Sequence, residues 1–228
     1  MAYELIHEKI PIPLLSPAVF DVYMEKGWRF LGDFMLRHNA LLYKEVLTHT
    51  VPLRVRLDGF SFSKSQSKSL RKHREHFQYR VVPIELTSEK NQLFLRHCDR
   101  FEFGHHYTDV RTFITRNSRF LPVQGWEIEV YDQAKLVACS YFHLGEHSFC
   151  ATYCFFDPDY TQFSLGNFTM YLEIELAIRL GKQFYYTGYA HETPSQFDYK
   201  YNFNNLEAMS WDTEQWSPHP RLLPRKRS

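Results

Sequence analysis

The sequence predicts an α/β fold of the mixed, α+β kind, in which a mostly antiparallel sheet is flanked by helices. Three observations carry that expectation. The stretches "WEIEVYD", "KLVACSYFHLG" and "HSFCATYCFFD" alternate apolar with polar residues across short turns, the pattern of an antiparallel meander. After "PDYTQFSLGN", Phe168, Tyr171, Ile174, Ala177 and Ile178 recur at helical spacing, Gly181 supplies a stop, and "QFYYTGY" reads as a further strand. A strand, a helix and a new strand make a right-handed βαβ unit. Finally, 228 residues with 44% hydrophobic and 17% aromatic content suffice for one large core.

The first helix falls on "SPAVFDVYMEKG", with Ser16 as cap, Pro17 in the first turn and Gly27 at the exit. "WRFLGDFMLRH" and "YKEVLTHTVPLRVRLDGF" then read as antiparallel strands, with Arg54, Arg56 and Asp58 on one face. Ser63 and Gln66 have capping-box spacing, which predicts a helix from about residue 64 to about 75. "QYRVVPIEL" is a strand, and "SEKNQLFLRHCDRF" puts Leu93, Phe94, His97 and Phe101 near one helical face. A loop, "EFGHHYTD", precedes the meander, and "YKYNF" and "EAMSW" are expected to complete the sheet as extended segments. Residues 1–80 and 81–228 form an N-terminal and a C-terminal region of one compact unit.

The net charge of +1 excludes a global polycationic field, so a polyanion site has to be a local cluster. Cys98, Cys139, Cys150 and Cys154 form no CxxC pair, and "MAYELIHEKIPIP" lacks the build of a signal peptide. No apolar run approaches the roughly 20 residues that span a bilayer. A soluble, cytoplasmic protein without DNA or membrane partners is expected. The tail "RLLPRKRS" is expected to hang in solvent.

The turn "DPDYTQFSLGN", which holds Ser164, Leu165, Gly166 and Asn167, precedes the long helix. Unpaired N–H groups at a helix start attract phosphate, and glycine permits close approach, although ordinary turn geometry explains such a glycine equally well. A meander that leads through such a turn into a helix and one more strand suits acyl transfer from an adenosine-type carrier.

The run "YCFFDPDYTQFSLGNFTMYLEIELAIRLGKQFYYTGY", followed in order by "DYKYNF" and "LEAMSW", resembles the C-terminal signature of the aminoacyl-tRNA protein transferases, the arginyl and leucyl transferases of the N-degron pathway. "EKGWRFLGDFMLRHN" and "PLRVRLDGFSFSKSQSK" resemble that family's N-terminal motifs, with Lys64 where its Ser-Arg-Ser-Gln segment has arginine. The resemblance implies an acetyltransferase-like fold and transfer of arginine or leucine from charged tRNA to a protein's N-terminal amine by ester aminolysis. The partners it implies are charged tRNA and a protein or peptide N-terminus. The family's cysteine cluster is missing from "NALLYKEVLTHTVP", so no Fe–S or zinc site is expected there, and charged tRNA is the only co-substrate.

Aminolysis needs a neutral amine, donors for the oxyanion and a proton for the leaving ribose oxygen. Tyr189 and then Tyr186 are the candidate proton donors, and Asp157 is the candidate to position or deprotonate the amine, weighed against plain turn chemistry in "DPD". Ser63, Lys64, Ser65, Gln66, Lys68 and Arg71, extended by Lys72 and Arg74, are candidates for the tRNA acceptor end; without the resemblance they read as a capped, solvated helix start. Lys200 would be expensive in a core and suits a phosphate or carboxylate. His97, Cys98, His105, His106 and Asp109 match no familiar tetrahedral metal spacing. Glu175 is expected in solvent, and Glu173 is undecided. An acyl-CoA N-acyltransferase is the alternative within the same fold, weakened because "QFSLGN" lacks an Arg-x-x-Gly-x-Gly/Ala loop; a non-catalytic RNA- or peptide-binding relative is the third reading.

Overall fold

The computed structural model describes residues 5–100 and 108–220. Phe101, His105, His106 and the basic tail lie outside the described residues. In chain order the elements begin with β1 (His7–Pro11), α1 (Pro17–Glu25), β2 (Arg29–Leu31), β3 (Phe34–His38), β4 (Ala40–Tyr43) and β5 (Val46–Arg56). Then come α2 (Lys64–His76), β6 (Gln78–Pro83), α3 (Ser88–Cys98), β7 (Gly125–Asp132), β8 (Lys135–Leu144) and β9 (Ser148–Phe156). The chain continues through α4 (Leu165–Arg179), β10 (Phe184–His191), β11 (Leu206–Met209) and β12 (Trp216–Pro218).

The main sheet runs β12-β11-β5-β10-β9-β8-β7-β6, with β4 paired to β5; β1-β3-β2 form a small separate sheet. Within the main sheet β9 and β10 are the parallel pair. The mixed, mostly antiparallel architecture is therefore the expected one. Strand β5 comes from the N-terminal region yet lies between β10 and β11, so the two regions share one sheet.

Local signals explain the helices. Ser16 accepts from the Val19 N–H, Pro17 opens α1, and Gly27 leaves it at φ 79°. Ser63 accepts from the Gln66 N–H while Gln66 Oε1 accepts from the Ser63 N–H, a complete capping box that starts α2. Helices α2 and α4 cover one face, where Leu70, Phe77, Phe168 and Ile174 pack on Leu53, Val55, Phe149 and Tyr185. On the other face α3 brings Leu93 and Phe94 against Tyr141 and Phe155, and α1 brings Phe20 and Met24 against Phe30, Cys150 and Tyr186.

Two expectations need correction. "YKYNF" is no strand: Asp198–Asn202 form a 3-10 turn, and its Tyr201 and Phe203 join the core on the α2/α4 face. Ile178 has helical spacing but is 44% exposed, because the buried stripe of α4 ends at Ala177. The α2 cap supplies a direct test of the local argument. Ser63→Ala should cost about 1 kcal/mol in urea denaturation, since it strands the Gln66 N–H.

Candidate functional site

Strands β9 and β10 pair over three residues, Phe184 with Ser148, Tyr185 with Phe149 and Tyr186 with Cys150, and then part. Beyond that point β9 stays with β8 and β10 stays with β5, so each presents an unpaired backbone edge to an opening between them. Ala151, Thr152, Tyr153 and Cys154 on β9 and Gly188 and Tyr189 on β10 are half-buried along it. A bulge between Tyr186 and Gly188, with Gly188 at φ 93°, marks where β10 turns away.

Lys200 occupies this opening. It is 9% exposed, and its Nζ donates to the Tyr189 carbonyl at 2.8 Å. A Cβ on Gly188 would come within 3.1 Å of the same Nζ, so the glycine makes room for the lysine. Arg29, on β2, reaches the opening from the other face. It is also 9% exposed; Nη1 lies 3.4 Å from Cys150 Sγ and 3.5 Å from Met24 Sδ, and Nη2 lies 3.5 Å from the Leu53 carbonyl. Its Nε has no partner, and its guanidinium stands over the Tyr186 ring at 5.2 Å. Among the described residues neither cation pairs with a carboxylate. Burial, then the charge of Arg29, lowers Lys200 to about 7. Two buried cations without a counter-ion are costly, and an anionic ligand would offset that cost.

The long helix begins at the top of the opening. Ser164 takes φ 50° and ψ 48° and makes no capping bond, so the first turn through Leu165, Gly166 and Asn167 has no side-chain cap. Leu165 is fully buried, and a Cβ on Gly166 would meet the Phe156 ring at 3.7 Å, ordinary contact. The start of α4 packs by the end of α2: His73 Nε2 meets the Phe163 carbonyl, and His76 stacks on the Phe163 ring. The first turn of α2 lies elsewhere, where Gln66 Nε2 donates to the Asn202 carbonyl at 3.0 Å. The start of α2 thus adjoins the turn that carries Lys200, and the start of α4 meets the other end of α2.

Several candidates change role on these contacts. Gln66 is 5% exposed with both ends of its amide engaged, so it links α2 to the Lys200 turn and is not free for RNA. Ser63 is its capping partner. Lys64, Ser65, Lys68, Arg71 and Lys72 are exposed, whereas Arg74 is paired with Glu175. Asp157 is fully buried and accepts from Arg96 at 2.7 and 3.0 Å, from Lys135 at 2.8 Å and from the Asp159 N–H. Burial would raise it, but the Lys135 bond, the Asp159 N–H and Arg96 together hold it below the usual carboxylate range. Such a group anchors α3 to the end of β9 and makes a poor base. Tyr186 is 1% exposed with its hydroxyl accepting from Arg54 at 3.2 Å; burial, opposed by Arg54, pushes it up to about 12. The Tyr189 hydroxyl donates to the Gly27 carbonyl at 2.5 Å, and burial raises it. What Tyr189 turns toward Lys200 is its carbonyl. His97 Nδ1 accepts from the Phe156 N–H at 3.0 Å, and among the described residues no three His, Cys, Asp or Glu side chains gather to hold a metal.

Arg29 escaped the sequence reading, although a signal was available. In "GWRFL" a guanidinium alternates with aromatic residues in a strand that has to bury them, which is an expensive position for a charge.

Residues 89–210 match the family model "Arginine-tRNA-protein transferase, C terminus", and the protein is accordingly an aminoacyltransferase. Over 212 residues it is 24% identical to an aspartate/glutamate leucyltransferase of Campylobacter jejuni, covering 87% of this chain and 83% of that one. Over 178 residues it is 29% identical to the enzyme of the same description from Xanthomonas campestris, covering 75% and 69%. The chain belongs to the arginine-tRNA-protein transferase family. Solved structures similar to it include L-PGS from Bacillus licheniformis, at 14% identity over 78% of this chain and 51% of that one with TM-score 0.46. A GCN5-related N-acetyltransferase from Kribbella flavida is similar at 11% identity over 74% and 54%, with TM-score 0.37. No described helix is long and apolar enough to cross a membrane.

The depressed Lys200 makes stability depend on pH. Between about 7, its folded value, and its ordinary 10.5, the unfolded chain binds more protons, so stability should rise with pH across that window. The buried thiols and phenols act in the opposite sense over the upper part of that window, so the lysine is read as a difference: in urea denaturation at steps from pH 7 to 10, Lys200→Met should be the more stable at pH 7 and its advantage over the natural protein should shrink as the pH rises.

Proposed function

We propose that the protein moves leucine or arginine from the 3′ end of charged tRNA to the N-terminal amine of an acceptor whose first residue is aspartate or glutamate. The observation that carries this reading is the pair of buried cations, Arg29 and Lys200, uncompensated at the parting of β9 and β10. An acidic side chain entering there supplies the missing counter-ion, and its own amine then lies beside the free strand edges. The relatives' description as aspartate/glutamate leucyltransferases supports the same acceptor and favours leucine as the donor.

In this reading the ester carbonyl sits in the opening. The deprotonated amine attacks it, and backbone N–H groups on the β9 edge beyond Cys150 face the oxyanion. Collapse breaks the ester C–O bond, forms the amide and releases the ribose hydroxyl. Tyr189, turned off the Gly27 carbonyl, gives its proton to that oxygen and takes one in return from the attacking nitrogen, so the phenol ends as it began; fully buried Tyr186 holds Arg54 instead. Lys64, Ser65, Lys68 and Arg71 carry the acceptor-end phosphates, and the uncapped turn from Ser164 to Asn167 takes the terminal nucleotide. Charged tRNA is the only co-substrate that the chemistry needs. The reaction belongs in the cytoplasm, as a step of the N-degron pathway.

The test is to incubate the purified protein with radiolabelled leucyl- or arginyl-tRNA and peptides beginning with Asp, Glu, Asn, Gln or Ala, and in parallel with labelled acetyl-CoA. Label should enter the Asp and Glu peptides. Arg29→Met should lower kcat/KM for them by roughly 30-fold or more while sparing the Asn peptide. Acetyl transfer alone, or equal transfer to all peptides, would overturn the reading. On the tRNA side, the double variant Lys64→Ala, Lys68→Ala should bind charged tRNA more weakly, with the slope of log affinity against log salt reduced by about 1–2 in filter binding.

A further inference from the structure

Helix α4 is attached to the sheet mainly by Phe168, Tyr171, Ile174 and Ala177, but a polar strip runs through the middle of that interface. Thr169 and Glu173, one turn apart, are both fully buried and face the strands. Thr169 Oγ1 lies 3.3 Å from Cys154 Sγ on β9. Glu173 spans further. Ser140 Oγ on β8 donates to its Oε1 at 2.6 Å, and Tyr185 OH on β10 donates to its Oε2 at 2.6 Å.

The two donors stand on opposite sides of β9. Ser140 is paired with Cys154, above the point where the strands part, and Tyr185 with Phe149, just below it. One carboxylate therefore ties the strands that flank β9, at the level where the opening begins. Adhesion does not require it, because buried apolar side chains of similar size would hold the helix at least as well. What the strip fixes is placement. The first turn of α4 has no side-chain cap, and within it the Asn167 N–H is bonded to the Ser164 carbonyl at 2.9 Å, so where that turn stands depends on how the helix is seated.

We propose that Glu173 is a positioning residue for aminoacyl transfer, seating α4 and its uncapped first turn against the opening through Ser140 and Tyr185. The inference rests on the opening being the transfer site. Ionised Glu173 accepts from both hydroxyls; a protonated Glu173 has a proton of its own to place, and one contact must reverse. Burial pushes it up to about 7, against the hold of Ser140 and Tyr185. The other titratable groups around it are Cys150 and Cys154 from β9, Tyr185 from β10 and Tyr199 beside Lys200, and burial raises each of them. These thiols and phenols stay neutral where Glu173 titrates. Strand β8 contributes only the serine.

The test compares Glu173→Gln and Tyr185→Phe with the natural protein at saturating charged tRNA, using circular dichroism and thermal melting to follow folding. Glu173→Gln should lower kcat about tenfold or more at pH 8, with KM for the acceptor peptide changed less than about twofold. Because glutamine mimics the neutral acid, the gap in kcat should close below about pH 6. Tyr185→Phe removes a single oxygen, so it serves even where Glu173→Gln folds poorly; it should show part of the loss, and the double variant should lose no more than Glu173→Gln alone. Natural kcat and an unchanged pH profile in both variants would overturn the inference alone. No transfer by the natural protein would overturn the reading of the opening and this inference with it.

Discussion

The site depends on the place where two parallel strands stop pairing. After Tyr186 and Cys150, β10 follows β5 and β9 follows β8, and the backbone groups on the facing edges lose their partners. Buried backbone polar groups are nearly always satisfied, so a parting within a sheet needs something to occupy it. Here the occupant on the β10 side is Lys200, held by the Tyr189 carbonyl, and the first turn of α4, without a side-chain cap, lies beside Phe156 at the end of β9. The βαβ connection sets the helix there: β9 leads through Pro158–Phe163 into α4, and α4 returns to β10.

Electrostatically the molecule divides its charges by purpose. Asp157 and Asp159 with Arg96 and Lys135, and Glu127 and Glu129 with Lys90 and Arg80, are neutralised clusters that fasten α3 to the sheet. Arg29 and Lys200 are the contrast, both buried and both lacking a carboxylate partner among the described residues. Such a position costs stability, and an anion placed there would recover part of it. Glu173 is a third kind, a carboxylate that accepts from two hydroxyls and that burial pushes up to about 7 against their hold.

Much of the architecture was legible because its signals are local. Alternation in "WEIEVYD" and its two successors, the Ser63–Gln66 box and the exits at Gly27 and Gly181 depend on residues within a few positions of one another. "YKYNF" misled because aromatic residues at alternate positions look like a strand, yet Tyr201 and Phe203 reach the core from a 3-10 turn. In the site, Lys200 was legible as an unusual cost. The surroundings of Asp157 were not legible, because Arg96 and Lys135, which hold it, lie 61 and 22 positions away, beyond any motif.

By itself the sequence determined the mixed sheet, the presence of the helices, the family resemblance and the residue types available for chemistry, since each is written in spacing or in contiguous motifs; the long helix starts at Leu165, inside the turn expected to precede it. Only the tertiary structure decided which of those residues meet. It brought Arg29 from β2 and Lys200 from a late turn to one opening, turned the hydroxyls of Tyr186 and Tyr189 toward Arg54 and Gly27, and buried Glu173 between Ser140 and Tyr185. Partnership over such separations depends on strand register and on which face a side chain takes. A one-residue slip would reverse both, and no local pattern specifies them.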